Sequence, residues 1–177
     1  MKSIVIPEGV TLIDNSAFSD CKSLETVSLP NSLERIYPLA FQNSNISSIS
    51  IPAGVKSLDY SSFEGCENLS TITVSNGNAK YDSRDNCNAL IETATNTILR
   101  GSSSTVIPNS VTTIERNAFR GLKIAKIVIP ASVKKIGQWA FQDCKSLTTV
   151  VCKSKSVIDV SGLLPFDPLP NAPLYVP

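Results

Sequence analysis

The chain has 177 residues, 42% of them hydrophobic, with 16 basic and 15 acidic side chains, a formal net charge of +1 and no histidine. That content suffices for a continuous core, and no run of about 18 apolar residues offers a helical membrane span. Without histidine, a Ser-His-Asp or Cys-His catalytic arrangement within this chain is excluded, and so is the commonest nitrogen ligand for a metal.

The first 23 residues after the start set a rule: Ile4-x-Ile6-Pro7, Val10, Ile13, Ala17-Phe18, Cys21, Leu24. Residues 27–48, 49–71, 105–126 and 127–149 repeat it, the last most fully. Pro7, Pro30, Pro52, Pro108 and Pro130 are each followed eleven positions later by Phe18, Phe41, Phe63, Phe119 and Phe141. A period of 22 to 23 residues is the signature of a solenoid, in which stacking equivalent coils buries what no coil could bury alone. The expected ladders are Val10, Leu33, Val55, Val111, Val133, then Ile13, Ile36, Leu58, Ile114, Ile136, then the five phenylalanines.

Within each copy the Ile-x-Ile run alternates with period two, as a strand covered on one face does. Inward positions are Val27 and Leu29, Ile49 and Ile51, Ile72 and Val74, Ile127 and Ile129. Proline follows at once because it lacks an N–H and sits where the ladder stops. The Val-x-x-Ile pair predicts a second short extended run on the opposite side, and Ala-Phe-x-x-Cys predicts a corner with a helical turn. Glu64, in that corner, is expected to touch solvent. Trp139, also in a corner, is read as an exposed anchor or as packed on a neighbouring coil.

After Val74 the rule lapses. Residues 72–104 are expected to form one wide irregular coil, with two short strands over 88–92 and 97–100 around a turn at Thr95-Asn96. The end is looser again, over about 150–177: Lys153 stands where proline should be, Pro165, Pro168, Pro170 and Pro173 follow without an Ala-Phe pair, and 174–177 restores the strand pattern. The whole of 1–177 is taken as one solenoid domain. Met1-Lys2 runs straight into the first strand, so no signal peptide is expected, and a start inside a repeat suggests an excised fragment.

Cys21, Cys66 and Cys144 share one slot, filled elsewhere by Ser44 and Leu122, which describes a small packed position and not a metal ligand. Cys21 and Cys66 are two coils apart, roughly 9–10 Å by strand spacing, beyond disulfide reach. With Cys87 and Cys152, all five thiols are expected reduced. Asp82, Asp85, Asn86, Asn88 and Glu92 form the densest oxygen cluster, but Arg84 sits inside it and the order departs from the EF-hand rule, so a polar turn is expected. Phosphate loops, zinc-finger spacings and RNA-reading aromatics are absent, and no cofactor is expected.

Two surface features remain. Outward strand positions should form columns: Ser3, Thr26, Ser48, Thr71, Lys126, Thr149, beside Val5, Ser28, Ser50, Thr73, Val106, Val128, Val151. From Thr26 onward these are the candidate binding face, hydroxyl-bearing first and valine-bearing later. The bland reading is that Ser, Thr and Val are simply tolerated on strands. Charge is uneven along the axis: residues 1–99 carry net −5 and residues 100–155 net +8. Arg116, Arg120, Lys123, Lys126, Lys134, Lys135 and Lys145 fall on adjacent coils and are expected to lie close together, as a patch for an anionic partner or as a solvated surface.

The Ile-Pro, Ala-Phe and Cys rule resembles the BspA-type leucine-rich repeat of bacterial surface proteins, over nearly the whole chain. The resemblance implies a leucine-rich-repeat solenoid of about seven coils, mainly short parallel β-strands with turns and short helical corners. It also implies an extracellular or cell-surface, non-enzymatic module that recognises a host or neighbouring-cell protein or glycan. The alternatives are a structural spacer or stalk, or an accessory domain of a larger surface protein. Nucleic acid is not expected as a partner, since no reading motif accompanies the charge. The chain is expected to be a monomer or to self-associate weakly.

Overall fold

A computed structural model describes residues 1–156 and 158–160, Phe166, and the main chain of Leu174–Tyr175. Pro165, Pro168, Pro170, Pro173, Val176 and Pro177 lie outside the described residues. The first three coils supply β1 (Ser3–Val5), β2 (Leu12–Ile13), β3 (Thr26–Ser28), β4 (Arg35–Ile36), β5 (Ser48–Ile51) and β6 (Ser57–Leu58). The irregular stretch supplies β7 (Thr71–Val74), β8 (Tyr81–Asp82), β9 (Leu90–Glu92) and β10 (Thr97–Arg100). The remainder supplies β11 (Thr113–Ile114), β12 (Lys126–Ile129), β13 (Lys135–Ile136), β14 (Thr149–Cys152) and β15 (Leu174–Tyr175).

The Ile-x-Ile runs form two parallel sheets, β1-β3-β5-β7 and β12-β14-β15. The second extended runs form β2-β4-β6 and β13-β11-β10-β9-β8. Register follows the repeat: Ile4 opposes Val27, Ile49 opposes Ile72, and Ile127 opposes Val150. Inward positions such as Ile49, Ile51, Ile72, Ile127 and Ile129 are buried, while Val5 and Val106 on the other face are 74% and 72% exposed. The alternation read from the sequence therefore has the right phase.

The corner is built differently from a helical turn. Among the described repeat corners only that at Tyr60–Phe63 forms a short 3-10 helix, and a second such helix, Arg84–Asn86, lies in the irregular stretch. Elsewhere two residues per corner adopt positive φ: Leu39 at 58° and Asn43 at 54° in one coil, Trp139 at 57° and Asp143 at 60° in another. This left-handed geometry turns the chain within a few residues and lets each corner bond to the next. Phe18 N–H donates to the Ala40 carbonyl at 2.7 Å, and Phe119 N–H to that of Ala140 at the same distance.

The phenylalanine ladder is two stacks. Phe18, Phe41 and Phe63 stack at 5.3 and 5.4 Å between ring centroids, and Phe119, Phe141 and Phe166 at 4.9 and 4.9 Å. Phe166 continues the second stack although no alanine precedes it and its spacing from Phe141 is irregular. Between the stacks lies the wide coil. Its two expected strands are present as the antiparallel β9-β10 hairpin, and β10 joins the second-run sheet by pairing parallel with β11. Gly101 then takes the phenylalanine slot: its N–H donates to the Ala118 carbonyl at 2.8 Å, as Phe18 does to Ala40. A Cβ there would stand 2.1 Å from the Phe119 ring, so only glycine fits.

Arg100, beside it, is 1% exposed. Its guanidinium donates to the carbonyls of Asn117 at 3.0 Å and Arg120 at 3.4 Å, and its Nε has no partner. Burial pushes its pKa down from the usual arginine value. Glu64, expected in solvent, instead bridges the wide coil: its carboxylate meets Arg120 at 2.8 Å, with its side chain 22% exposed. The corner of 60–69 thus faces that of 117–124 directly, because the wide coil spends its extra residues on the hairpin.

Phe63→Ala should cost about 3–5 kcal/mol, the range for a buried aromatic, whereas exposed Glu67→Ala should change stability by less than about 0.5 kcal/mol. Denaturant melts giving equal midpoints would refute the ladder. Gly101→Ala should destabilise by about 1–3 kcal/mol through overpacking against Phe119, and Gly77→Ala, in open space at positive φ, should cost only its backbone strain.

Candidate functional site: the outer strand face

The outward columns are in register where strands pair. Ser3, Thr26, Ser48 and Thr71 oppose one another in turn, as do Ser50 and Thr73. Lys126 opposes Thr149 and Val128 opposes Val151 on the second sheet. Thr26, Ser28, Ser48, Ser50 and Thr73 are exposed, Thr71 half-buried. Thus the first sheet gathers the hydroxyl residues, and the second gathers Lys126, Val128, Thr149 and Val151. Val106 belongs to neither, because residues 105–107 are not in a strand.

The seven cations of the basic block do not share one location. Lys126 is on β12 and Lys135 on β13, which belong to different sheets. Arg120, Lys123 and Lys145 are on or just past corners, and Lys134 directs its ammonium to the Ala131 carbonyl at 3.2 Å. Arg120 is compensated by Glu64 at 2.8 Å and Asp143 at 3.4 Å. Lys123 donates to Asn68 at 2.7 Å. Arg116 lies 5.6 Å from the centroid of Trp139, whose half-buried ring it covers. Adjacent coils fix position along the axis, but the residues spread around the perimeter.

The Asp82 cluster is a polar turn. Arg84 takes both carboxylate oxygens, Nε at 2.8 Å and Nη2 at 2.6 Å, and Thr93 donates at 3.0 Å. Burial raises the Asp82 pKa, but these hydrogen bonds outweigh it and hold the carboxyl below its ordinary value. Among the described residues no three His, Cys, Asp or Glu side chains are grouped to hold a metal. A polar ladder that sequence reading missed runs along the corners: Asn43 donates to Asp20 at 3.0 Å, and Asn68 donates to Asn45. Its signal was available, since these positions recur at the repeat spacing of 23.

The profile of the BspA type leucine rich repeat region matches residues 1–99 and 100–161, in six copies. The chain belongs to the BspA-type leucine-rich repeat family. Its fold is shared with a leucine rich cell surface protein from Faecalibacterium prausnitzii, at 31% identity and a TM-score of 0.70 over 85% of this chain and 47% of that one. It is also shared with the pneumococcal vaccine antigen PcpA, at 24% identity and a TM-score of 0.74 over 85% of this chain and 39% of that one. A leucine-rich repeat protein from Eubacterium ventriosum matches at 22% identity and a TM-score of 0.57, over 88% of this chain and 55% of that one. The chain therefore spans about half or less of the length of these proteins. No curated protein matches it. Among the described residues no helix is long and apolar enough to cross a membrane.

In this BspA-type chain the repeated cysteine slot is a hydrogen-bonded packing position. Cys66 and Cys144 donate from Sγ to the carbonyls of Phe41 and Phe119, both at 3.1 Å. All five cysteines are free, and Cys21 alone is not buried. Burial pushes the Cys144 thiol up from 9.0 to about 11, and Cys66 and Cys87 also upward. A raised folded pKa contributes stability that is fully present below pH 9 and is lost as pH rises through about 11. Native thiol labelling at pH 8 should therefore modify Cys21 fastest, with all five reacting after denaturation, and stability should fall between pH 9 and 11. Fast labelling of Cys144 in the native state would contradict this.

The outer face should also tolerate charge. The Val128→Lys, Val151→Lys double variant should remain folded and soluble, as judged by circular dichroism, because both side chains leave the core.

Proposed function

We propose that this chain is a non-catalytic binding module of a surface or secreted bacterial protein, contacting a host or neighbouring-cell protein or glycan through its outer strand face. The observation that carries the reading is the in-register display of small hydroxyl side chains over four strands, from Ser3 to Thr73, followed by valines on the second sheet. Such a surface offers many hydrogen-bonding groups with little side-chain entropy to lose. The similar protein from Faecalibacterium prausnitzii is described as a leucine rich cell surface protein, which supports the location. Lys126, Lys135 and Lys145 pair with no carboxylate among the described residues, and they would speed association with an anionic partner in a salt-dependent way. The spacer reading is favoured by one observation, that the cleft beside Thr73 is lined mainly by polar residues, among them Ser75, Asn76, Asp82 and Ser83.

The test is a glycan and matrix-protein array probed with the full chain and with a Ser50→Arg, Thr73→Arg variant. Binding by the native chain that falls at least about tenfold in the variant, at unchanged melting temperature, is expected, since bulky charge on a contact face is not accommodated. An array silent for the native chain would favour the spacer.

A further inference from the structure

The outer face is interrupted by an open strand edge, and this edge has the features of a peptide-docking site. In each paired coil, the backbone N–H and C=O of the outward residues face the preceding coil: Thr26 N–H donates to the Lys2 carbonyl at 3.2 Å, and the Ser28 carbonyl accepts from Ile6 at 2.9 Å. The inward residues face the following coil, as the Ala125 and Ile129 carbonyls of the β12 region do in accepting from Thr149 at 3.2 Å and Lys153 at 2.9 Å. Lys126 and Val128 therefore direct their backbone groups towards residues 105–107. No backbone hydrogen bond crosses that gap among the described residues. The Thr105 N–H, which by this rule should face β12, turns instead to the Ser102 carbonyl at 3.2 Å, while the outward Val106 N–H faces the preceding chain at the Cys87 carbonyl, 3.1 Å away. The wide coil has drawn residues 105–107 away from β12 and left its edge unpaired.

The same edge lines a groove of about 460 Å³, formed by Thr105, Val106, Lys126, Val128, Pro130 and Lys153. That volume falls in the range of ligand-sized clefts. Val106, 72% exposed, and Val128 give it an apolar floor. Lys126 and Lys153, both exposed, stand on its rim, and neither pairs with a carboxylate among the described residues. The edge is held in place from behind, since β12 pairs with β14 over four residues and its coil is bonded to the preceding one at β11-β13 and at the corner. It is a preformed template for strand addition, in which main-chain bonds give affinity and alternate side chains give selectivity. A lysine on such an edge discourages neutral and basic strands, and two lysines reward an acidic one.

We infer that the β12 edge binds an extended segment of a partner protein in which apolar residues alternate with Asp or Glu. The segment's backbone would pair with Lys126 and Val128, its carboxylates would meet Lys126 and Lys153 on the outward face, and its apolar side chains, on the opposite face, would turn inward beside Ile107. This narrows the binding-module reading to one partner chemistry and rests on it.

The experiment uses the full chain, isotope-labelled, titrated with a capped peptide of alternating Val and Glu. Controls are a peptide with Lys for Glu and one N-methylated on alternate amides. Amide shifts are expected at Lys126 and Val128 with the acidic peptide, and affinity should fall at least about tenfold with either control, as loss of a charge pair or of strand hydrogen bonds requires. A Lys126→Glu, Lys153→Glu variant, whose unchanged spectrum elsewhere reports its fold, should prefer the lysine peptide. Absence of shifts at about 1 mM peptide, or equal response to the acidic and basic peptides, overturns the inference. Shifts at these amides that depend on protein concentration without peptide would assign the edge to a second copy, and overturn it too. Array binding that is lost in the Ser50, Thr73 variant while the edge stays silent would leave the broader binding role standing and remove only this site.

Discussion

Each coil of this solenoid is too thin to satisfy its own main chain. Its N–H and C=O groups find partners on the coils before and after it, and those bonds form only if equivalent residues stack in register. The Pro–Phe offset is the visible mark of that constraint. Proline ends each strand at the same place, so that the corner phenylalanines meet at about 5 Å and the Phe N–H reaches the alanine carbonyl of the next corner. The positive-φ residues, buried thiols and corner asparagines all serve this pairing: they bend the chain tightly or occupy polar groups that the stacking would otherwise strand.

What was legible in the sequence was whatever repeats at fixed spacing. The strand phase, the inward ladders and the hairpin of the wide coil could all be read from periodicity and turn residues. Arg100 could not, because an arginine reads as surface, and only the assembled coils show it buried under Phe119's corner, donating to two carbonyls with its Nε left unpartnered. Phe166 was hidden by its irregular spacing, and the pairing of Glu64 with Arg120 by their separation of 56 positions. The outer face was legible as columns but not as two separate sheets. The grouping of the seven cations failed for a geometric reason: period gives position along the axis, whereas position around the coil depends on which offset within the repeat each residue holds.

Function is less legible than fold because the repeat constrains inward residues and leaves outward ones nearly free. Ser and Thr on strands serve packing-neutral and recognition roles equally well. The exceptions to the repeat are therefore more informative than the repeat itself. Gly101, Arg100 and the hairpin exist only in the wide coil, and each departs from the local rule in a way that costs regular stacking.

The coil of 105–126 is joined to its successor on two of three sides, at the β11-β13 run and the corner, while the strand side is left unbonded. A stacked rod fastened unevenly at one level bends at that level. With one side unbonded, resistance to rotation about the two fastened sides is lower at this level than where all three sides are hydrogen-bonded. The joint lies inside the basic block of residues 100–155 and divides its cations, with Arg116, Arg120 and Lys123 before it and Lys134, Lys135 and Lys145 after it.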